Sequence, residues 1–322
     1  MTLVRPQLIP LAWLSKAMIK WTVLSTATAI LAIASPRFFQ PANLLNIIVQ
    51  SSSVGLVAIG MTIVLLTGGI DLSVGSIMFL AAAVAGKMVL AERPTPVHIA
   101  VLAIVPIGLA FGAINGLLIA RARMLPFVVT LATLYIGRGA ALAITQTRAM
   151  NLPNGFLRIG QASVAGVPFP IMMFFITAIL AHLLLTQTPL GLQLYAVGQD
   201  PAAARKAGIR NHRIIIVAYL MSGLCAALGG IVSVAQLGSV SPTFGYQREF
   251  TAVAAAVLGG TSLAGGRGKI LPGTLLGALL IGAVENGLVT LNANPYIYPV
   301  VTGGVIFLAV LSDRRLGPQS RK

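Results

Sequence analysis

The sequence predicts an all-α integral membrane protein of about ten transmembrane helices, some broken or re-entrant, with both termini cytoplasmic. Three observations lead there. Hydrophobic residues make up 57% of the 322 and charged residues only 9%, at a mean hydropathy of +0.93, whereas a soluble domain carries about a quarter charged residues. The apolar runs approach the roughly 20 residues that a helix needs to cross a bilayer. Lipid offers backbone groups no hydrogen-bond partner, so the spans are helices or a closed barrel. The runs 99–122 and 272–291 lack the apolar/polar alternation of barrel strands, which leaves helices. The third observation is where the basic residues fall, taken up below.

Ten spans follow in order, at 18–36, 44–67, 72–91, 97–120, 125–146, 168–187, 213–237, 250–262, 271–291 and 296–312. A cytoplasmic segment (1–17) precedes one transmembrane domain (18–312), and a basic cytoplasmic tail (313–322) follows it. The first span has a basic lead and Ala32-Ile33-Ala34, a pattern also found at signal-peptide cleavage sites. The long lead and the many later spans favour an uncleaved anchor. Two spans are weak: 250–262 is short, and 72–91 opens in the polar run Asp71-Leu72-Ser73-Val74-Gly75-Ser76. Broken or re-entrant helices of this kind exist only where protein or a water-filled cavity covers them.

With the amino terminus inside, Arg5, Lys16, Lys20, Arg121, Arg123, Arg205, Lys206, Arg210, Arg213, Arg267, Lys269, Arg314, Arg315, Arg321 and Lys322 are cytoplasmic, 15 of the 22 basic residues. Arg37, Lys87, Arg93, Arg138, Arg148, Arg158 and Arg248 lie outside or within a span. This bias fits an even number of spans. The net charge of +16 is scattered through short loops rather than gathered on one soluble face, so its partners are lipid head groups and nucleic acid is excluded.

Two loops are long enough to carry function. The outer loop 147–167 holds Pro153, Gly155, Gly160 and Gly166, as a shaped loop does. The inner loop 188–212 contains Asp200-Pro201 followed by AAARKA: a capping acid, proline at the first helical position, alanines, basic residues and a stop at Gly208. A short polar helix there has the shape of a docking element.

Ionisable groups at membrane depth face a cavity or a partner. Glu285, with Asn286 beside it, reads as the deepest acid. Arg138 lies about a turn and a half from the outer end of its span. Both suit a polar translocation path, although an arginine so placed also snorkels to the interface. Asp71 suits a cap on a helix beginning at Leu72. The ridges Gly108-x-x-x-Gly112-x-x-x-Gly116 and Gly273-x-x-x-Gly277, the latter continuing to Gly282 and Gly287, allow close helix contact within the chain or across a dimer.

No catalytic cluster emerges. His98, His182 and His212 lie far apart without metal-ligand spacing, and the single Cys225 sits in an apolar run, which excludes an internal disulfide framework. The run from Gly265 to Ile270 fails as a phosphate loop, with Leu263 at its first glycine position and Ile270 at its Ser/Thr position. No nucleotide site is evident, so energy from ATP would have to enter through another subunit.

Four stretches together resemble the permeases of ribose-type ABC sugar importers. They are TIVLLTGGIDLSVGSIMFL (62–80), NGLLIARARMLPFVVTLATLYIGRGAA (115–141), YAVGQDPAAARKAGI (195–209) and EFTAVAAAVLGGTSLAGGRGKILPGTLLGALLIGAVENGL (249–288), in the family order. The distinctive residues are Gly68, Gly69, Asp71 and Ser73 in the first, and Gly259, Gly260, Gly265 and Gly266 in the last. The resemblance implies about ten helices in a bacterial inner membrane, a second like or unlike permease chain, two partner ATPase domains holding ATP and Mg2+, and a periplasmic sugar-binding protein. No cofactor or metal is implied in this chain. A helix at 200–208, with Gly198, Asp200, Ala203, Arg205 and Gly208, would then couple to the ATPase. Asn115, Thr130 and Asn286 would be transient hydrogen-bonding groups for a sugar, and Arg138 and Glu285 would shape the path. The chain departs from the family at Gly198-Gln199-Asp200, at Ala202, at Glu249-Phe250-Thr251 and at Thr145-Gln146-Thr147, positions that bear on which ATPase and substrate it serves. Rival readings are an ion- or proton-coupled secondary transporter, a membrane-embedded enzyme, and a permease for a furanosyl signalling molecule.

Overall fold

In the computed structural model the described residues are 38–304 and 307, so the span 18–36, the segment 1–17 and the tail 313–322 lie outside them. Eleven α-helices with both ends among the described residues follow one another: α1 (Pro41–Leu66), α2 (Val74–Val89), α3 (Val97–Ala120), α4 (Pro126–Thr145), α5 (Asn154–Gln161), α6 (Phe169–Gln187), α7 (Pro189–Gln199), α8 (Pro201–Lys206), α9 (Asn211–Leu237), α10 (Arg248–Leu258) and α11 (Leu275–Thr290); residues 298–304 are helical as well. Six helical stretches are long and apolar enough to cross a membrane, namely α1, α3, α4, α6, α9 and Ile270–Thr290, and α2 is a shorter apolar helix.

The loops between them define two ends of the bundle. Residues 67–73, 121–125, 188–212 and 259–269 share the near end. Residues 90–96, 146–168, 238–247 and 291–294 share the far end.

The axis of the bundle is α1. In its apolar window 83% of the residues are buried, against 22% for α3. A helix covered on all sides needs no polar face, and from Ser51 to Leu66 every residue of α1 is buried; the serines and threonines of that stretch are satisfied internally. Ser51 and Ser52 donate to the carbonyls of Ile47 and Ile48, one turn back. Ser53 reaches across to the Gly229 carbonyl of α9 at 2.9 Å, and Thr62 meets Thr274 at 2.7 Å. Around this axis pack α6, α9, α10 and α11, while α2 lies against α3, α4 and α9.

The glycine ridges make their contacts within the chain. Down α3, a side chain at Gly108, Gly112 or Gly116 would collide in turn with Gly223, with Tyr219 and Leu220, and with Ile216 of the antiparallel α9. On the second ridge, Gly273 and Gly277 meet α10 and the Gly259 turn that follows it, and Gly282 meets Ser51 of α1. Small residues let backbones approach where lipid supplies no hydrophobic drive. The outward faces stay apolar: Tyr135 and Ile136 of α4 and Ile176, Leu180 and Leu183 of α6 are exposed.

Two expectations need correction. The span beginning at 72 starts at Val74, because the chain first spends Thr67–Ser73 on a turn. The span 250–262 is the 11-residue helix Arg248–Leu258, about 16 Å long at 1.5 Å per residue, roughly half a bilayer core. It is roofed by neighbouring helices, with Thr251–Val257 all buried. The loop 147–167 is shaped, as its proline and glycines indicate: α5 lies in it, Met150–Asn151 pairs with Ser239–Val240, and Ser163–Val164 pairs with Val167–Pro168.

Candidate functional site

The break between α1 and α2 builds a buried polar hub. Thr67–Ser73 leaves helical geometry, so its backbone groups need partners, and within a membrane only protein supplies them. Asp71 Oδ1 accepts from the backbone N–H of Ser73 at 3.0 Å and from its hydroxyl at 2.6 Å. Its Oδ2 accepts from the Ser222 hydroxyl of α9 at 2.7 Å. The Ile70 carbonyl takes the Tyr219 hydroxyl at 3.1 Å. Asn115 of α3 donates to Ser73 Oγ and accepts from Thr133 of α4, both at 2.9 Å. Asp71, Ser73, Asn115, Tyr219 and Ser222 have no solvent exposure. One hub thus ties α2, α3, α4 and α9 to the turn after α1.

Asp71 does not cap the following helix: that helix starts at Val74 with Ser73 at its N-cap and no side-chain cap bond, and the Asp71 carboxylate instead closes the turn on Ser73 and reaches α9. Asn115 and Thr130, two path candidates, are fully buried; the amide of Asn115 is engaged at both ends, and Thr130 donates to the Pro126 carbonyl of its own helix at 2.9 Å.

The other path candidates lie toward the far end. Arg138 is not extended to the interface. Its guanidinium carbon sits 5.5 Å from the ring centroids of both Phe79 and Tyr246, a cation–π arrangement, and its nitrogens lie 3.5 Å from the carbonyls of Pro242 and Phe244. It therefore holds the loop 241–246 against α2 and α4. Glu285 is not the deepest acid: Asp71 and Glu249 are buried, whereas Glu285 is 37% exposed and pairs with Arg248 at 3.8 Å. The neighbouring Asn286 is buried and accepts from Asn43 of α1 at 3.0 Å.

At the near end the short polar helix forms as the sequence indicates, over Pro201–Lys206. Asp200 Oδ1 accepts from the N–H groups of Ala202 at 2.8 Å and Ala203 at 3.0 Å, two of the donors that the first turn of a helix leaves free. Arg205 and Lys206 occupy its last turn, and Gly208 (φ +83°) follows. Ala204 is the buried residue of the helix, while Ala202, Ala203 and Arg205 are exposed. Immediately before it, α7 is anchored by the Tyr195 hydroxyl, which donates to the Gly268 carbonyl at 2.8 Å. Burial pushes this phenol above its ordinary pKa, so the proton stays on the donor. The distinctive glycines gather beside it: a Cβ on Gly265 would stand 2.8 Å from the Gly198 carbonyl and 3.0 Å from the Gly68 nitrogen. Gly265 and Gly266, at φ +87° and +67°, hold left-handed conformations in which L side chains are strained.

Sequence reasoning did not single out Thr133, Tyr195, Tyr219, Ser222 or Tyr246 as partners in these groups. Tyr219 and Ser222 carry a usable signal, since they are polar and three residues apart, and so share one face of an apolar helix.

A bundle of long apolar helices with a capped polar helix at one end does not by itself name a function, and the comparisons supply the family. Residues 43–310 match the family described as branched-chain amino acid transport system / permease component, and the chain belongs to that family.

Its relatives sharpen the class. The chain is 42% identical over 313 residues to the ribose import permease protein RbsC of Escherichia coli, covering 94% of this chain and 95% of that protein. It is 38% identical over 294 residues to the D-allose transport system permease protein AlsC of the same organism (91% and 90% covered). It is 37% identical over 276 residues to the galactofuranose transporter permease protein YtfT, also from Escherichia coli (85% and 79% covered).

Proposed function

We propose that this chain is the membrane-spanning permease subunit of an ATP-driven, binding-protein-dependent importer for a monosaccharide or related polyol. The observation that carries the reading is α8: a capped, largely exposed helix at the bundle end where eight of the 14 basic residues among the described residues fall. In this reading the near end is cytoplasmic, the helices complete ten spans with both termini inside, and the protein sits in a bacterial inner membrane. A second permease chain completes the path. ATP and Mg2+ bind in partner ATPase subunits against α8, and a periplasmic binding protein delivers the sugar at the far end.

The division of labour follows from the geometry. Around the break after α1, polar groups are already paired, so the hub serves as a rigid element. Toward the far end, Arg138, Arg248 and Glu285 offer partly exposed groups for brief contact with hydroxyls, while Asn286 is buried with its oxygen accepting from Asn43 and Thr290. Transport requires such contacts to be weak, since a tight site retains its solute. A proton relay would need titratable groups linked in series. The most buried acid, Asp71, instead has both oxygens occupied by hydroxyl and amide donors, which favours ATP over an ion gradient as the energy source. The galactofuranose relative supports a second substrate reading, a furanose rather than a pyranose sugar.

The test is Ala203→Asp in the exposed first turn of α8. ATP hydrolysis by the complex is expected to lose its link to uptake, or the ATPase to dissociate. Normal ATP-driven uptake by that variant would remove α8 from the coupling role.

A further inference from the structure

Two stretches of this chain carry the same pattern. Gly68-Gly69-Ile70-Asp71-Leu72-Ser73 and Gly259-Gly260-Thr261-Ser262-Leu263-Ala264 each have a glycine pair, two residues, leucine and a small residue. Each follows the end of a helix, α1 at Leu66 and α10 at Leu258, and each leads into another. The fold brings the two turns together, the Gly266 N–H donating to the Leu66 carbonyl at 2.9 Å.

The last turn of α7 is wedged against both. A Cβ on Gly198 would press onto the Leu66 carbonyl and stand 2.7 Å from the Gly266 nitrogen, and one on Gly266 would stand 2.9 Å from Gln199 Cα. Three backbones therefore meet with no side chain between them, and Tyr195 closes the contact through Gly268. Between this junction and α8 lies only Asp200, whose N–H donates back to the Ala196 carbonyl at 3.1 Å and whose side chain caps α8. By contrast, the side-chain tether between α8 and α9 is an exposed bond, from Asn211 to the Pro201 carbonyl.

This difference decides how a push on α8 travels. A side-chain contact yields by changing rotamer, whereas backbone packed on backbone has no such soft coordinate, and close-packed elements pass strain on. We propose that the Gly198–Leu66–Gly266 junction is the transmission joint of the transporter, through which displacement of α8 moves the end of α1 and the turn 262–268 together as an inner gate. Gly198 and Tyr195 are its positioning residues. The inference rests on the importer reading above, because it needs an ATPase acting on α8.

The test uses the assembled complex of this chain with its ATPase in lipid nanodiscs. A cysteine is placed at the exposed Ala264 in a Cys225→Ala background and labelled with a membrane-impermeant maleimide. Labelling is compared with and without ATP plus vanadate and normalised to trapped nucleotide. In the complex otherwise unsubstituted, trapping is expected to change the labelling rate at position 264. Gly198→Ala is expected to abolish that change, and Tyr195→Phe, which removes one hydroxyl and keeps the ring, to reduce it. A full response in Gly198→Ala, or no response at position 264 in the parent, overturns the joint while leaving the importer intact. If Gly198→Ala fails to assemble, Tyr195→Phe decides alone: a reduced response supports the joint and a full one overturns it. Failure of any ATPase to bind the parent chain overturns the importer reading itself, and the joint with it.

Discussion

Replacing Asp71 by alanine removes the acceptor for three buried donors, the N–H and hydroxyl of Ser73 and the hydroxyl of Ser222. A buried donor left without a partner costs about 1–3 kcal/mol, which bounds the loss at roughly 3–9 kcal/mol. The lower figure is the better one, because serine hydroxyls rotate onto carbonyls of their own helix while the N–H of Ser73 has no such freedom. A loss of about 3 kcal/mol lowers a thermal midpoint by roughly 10 °C, taking about 2–4 °C per kcal/mol. Asp71→Asn keeps Oδ1 for both Ser73 donors, and its amide can donate to Ser222, whose hydroxyl also accepts. That variant is expected to lose about 1 kcal/mol. The chain carries its own reporter: its single cysteine, Cys225, is 4% exposed and lies three residues from Ser222 on α9. A fluorogenic thiol dye in detergent reads unfolding directly as this thiol becomes accessible. A midpoint for Asp71→Ala within the error of the parent, or a larger loss for Asn than for Ala, would refute the role given to the hub.

Other perturbations separate the parts of the account. Asp200→Ala removes the cap on two N–H groups of α8, worth about 1 kcal/mol, and should weaken binding of the ATPase by about fivefold; Asp200→Asn, also a good cap, should restore it in a pull-down titration. Gly112→Ala places a methyl 2.9 Å from Leu220 Cα and should lower stability by about 1–3 kcal/mol in the same thiol assay. Glu285→Gln breaks a partly exposed pair and should change stability by no more than about 0.5 kcal/mol, so a large fall in uptake with an unchanged midpoint would assign Glu285 to the path.

The spans were legible because each helix must supply its own apolar length. The predicted 97–120, 125–146, 168–187 and 213–237 fall within two residues of the observed helices. The short capped helix at 201–206 was legible for a related reason, since its cap, proline, alanines and stop are local signals. The hub was not: Asp71 finds Ser222 some 150 residues away, and Asn115 links Ser73 to Thr133 across three helices. Local pattern marks such residues only as polar at membrane depth and does not show which groups they join. Glu285 misled for the opposite reason, since an acid in an apolar run looks deep until Arg248, 37 residues earlier, is seen to meet it near a helix end.

Uptake into proteoliposomes tests the central claim most directly. The chain is reconstituted with its ATPase, and binding proteins loaded with D-ribose, D-allose or galactofuranose are added outside. Uptake of one of these sugars is expected to require internal ATP and the matching binding protein, and to be indifferent to an imposed ion gradient. Uptake driven by a proton or sodium gradient in vesicles holding this chain alone would contradict it.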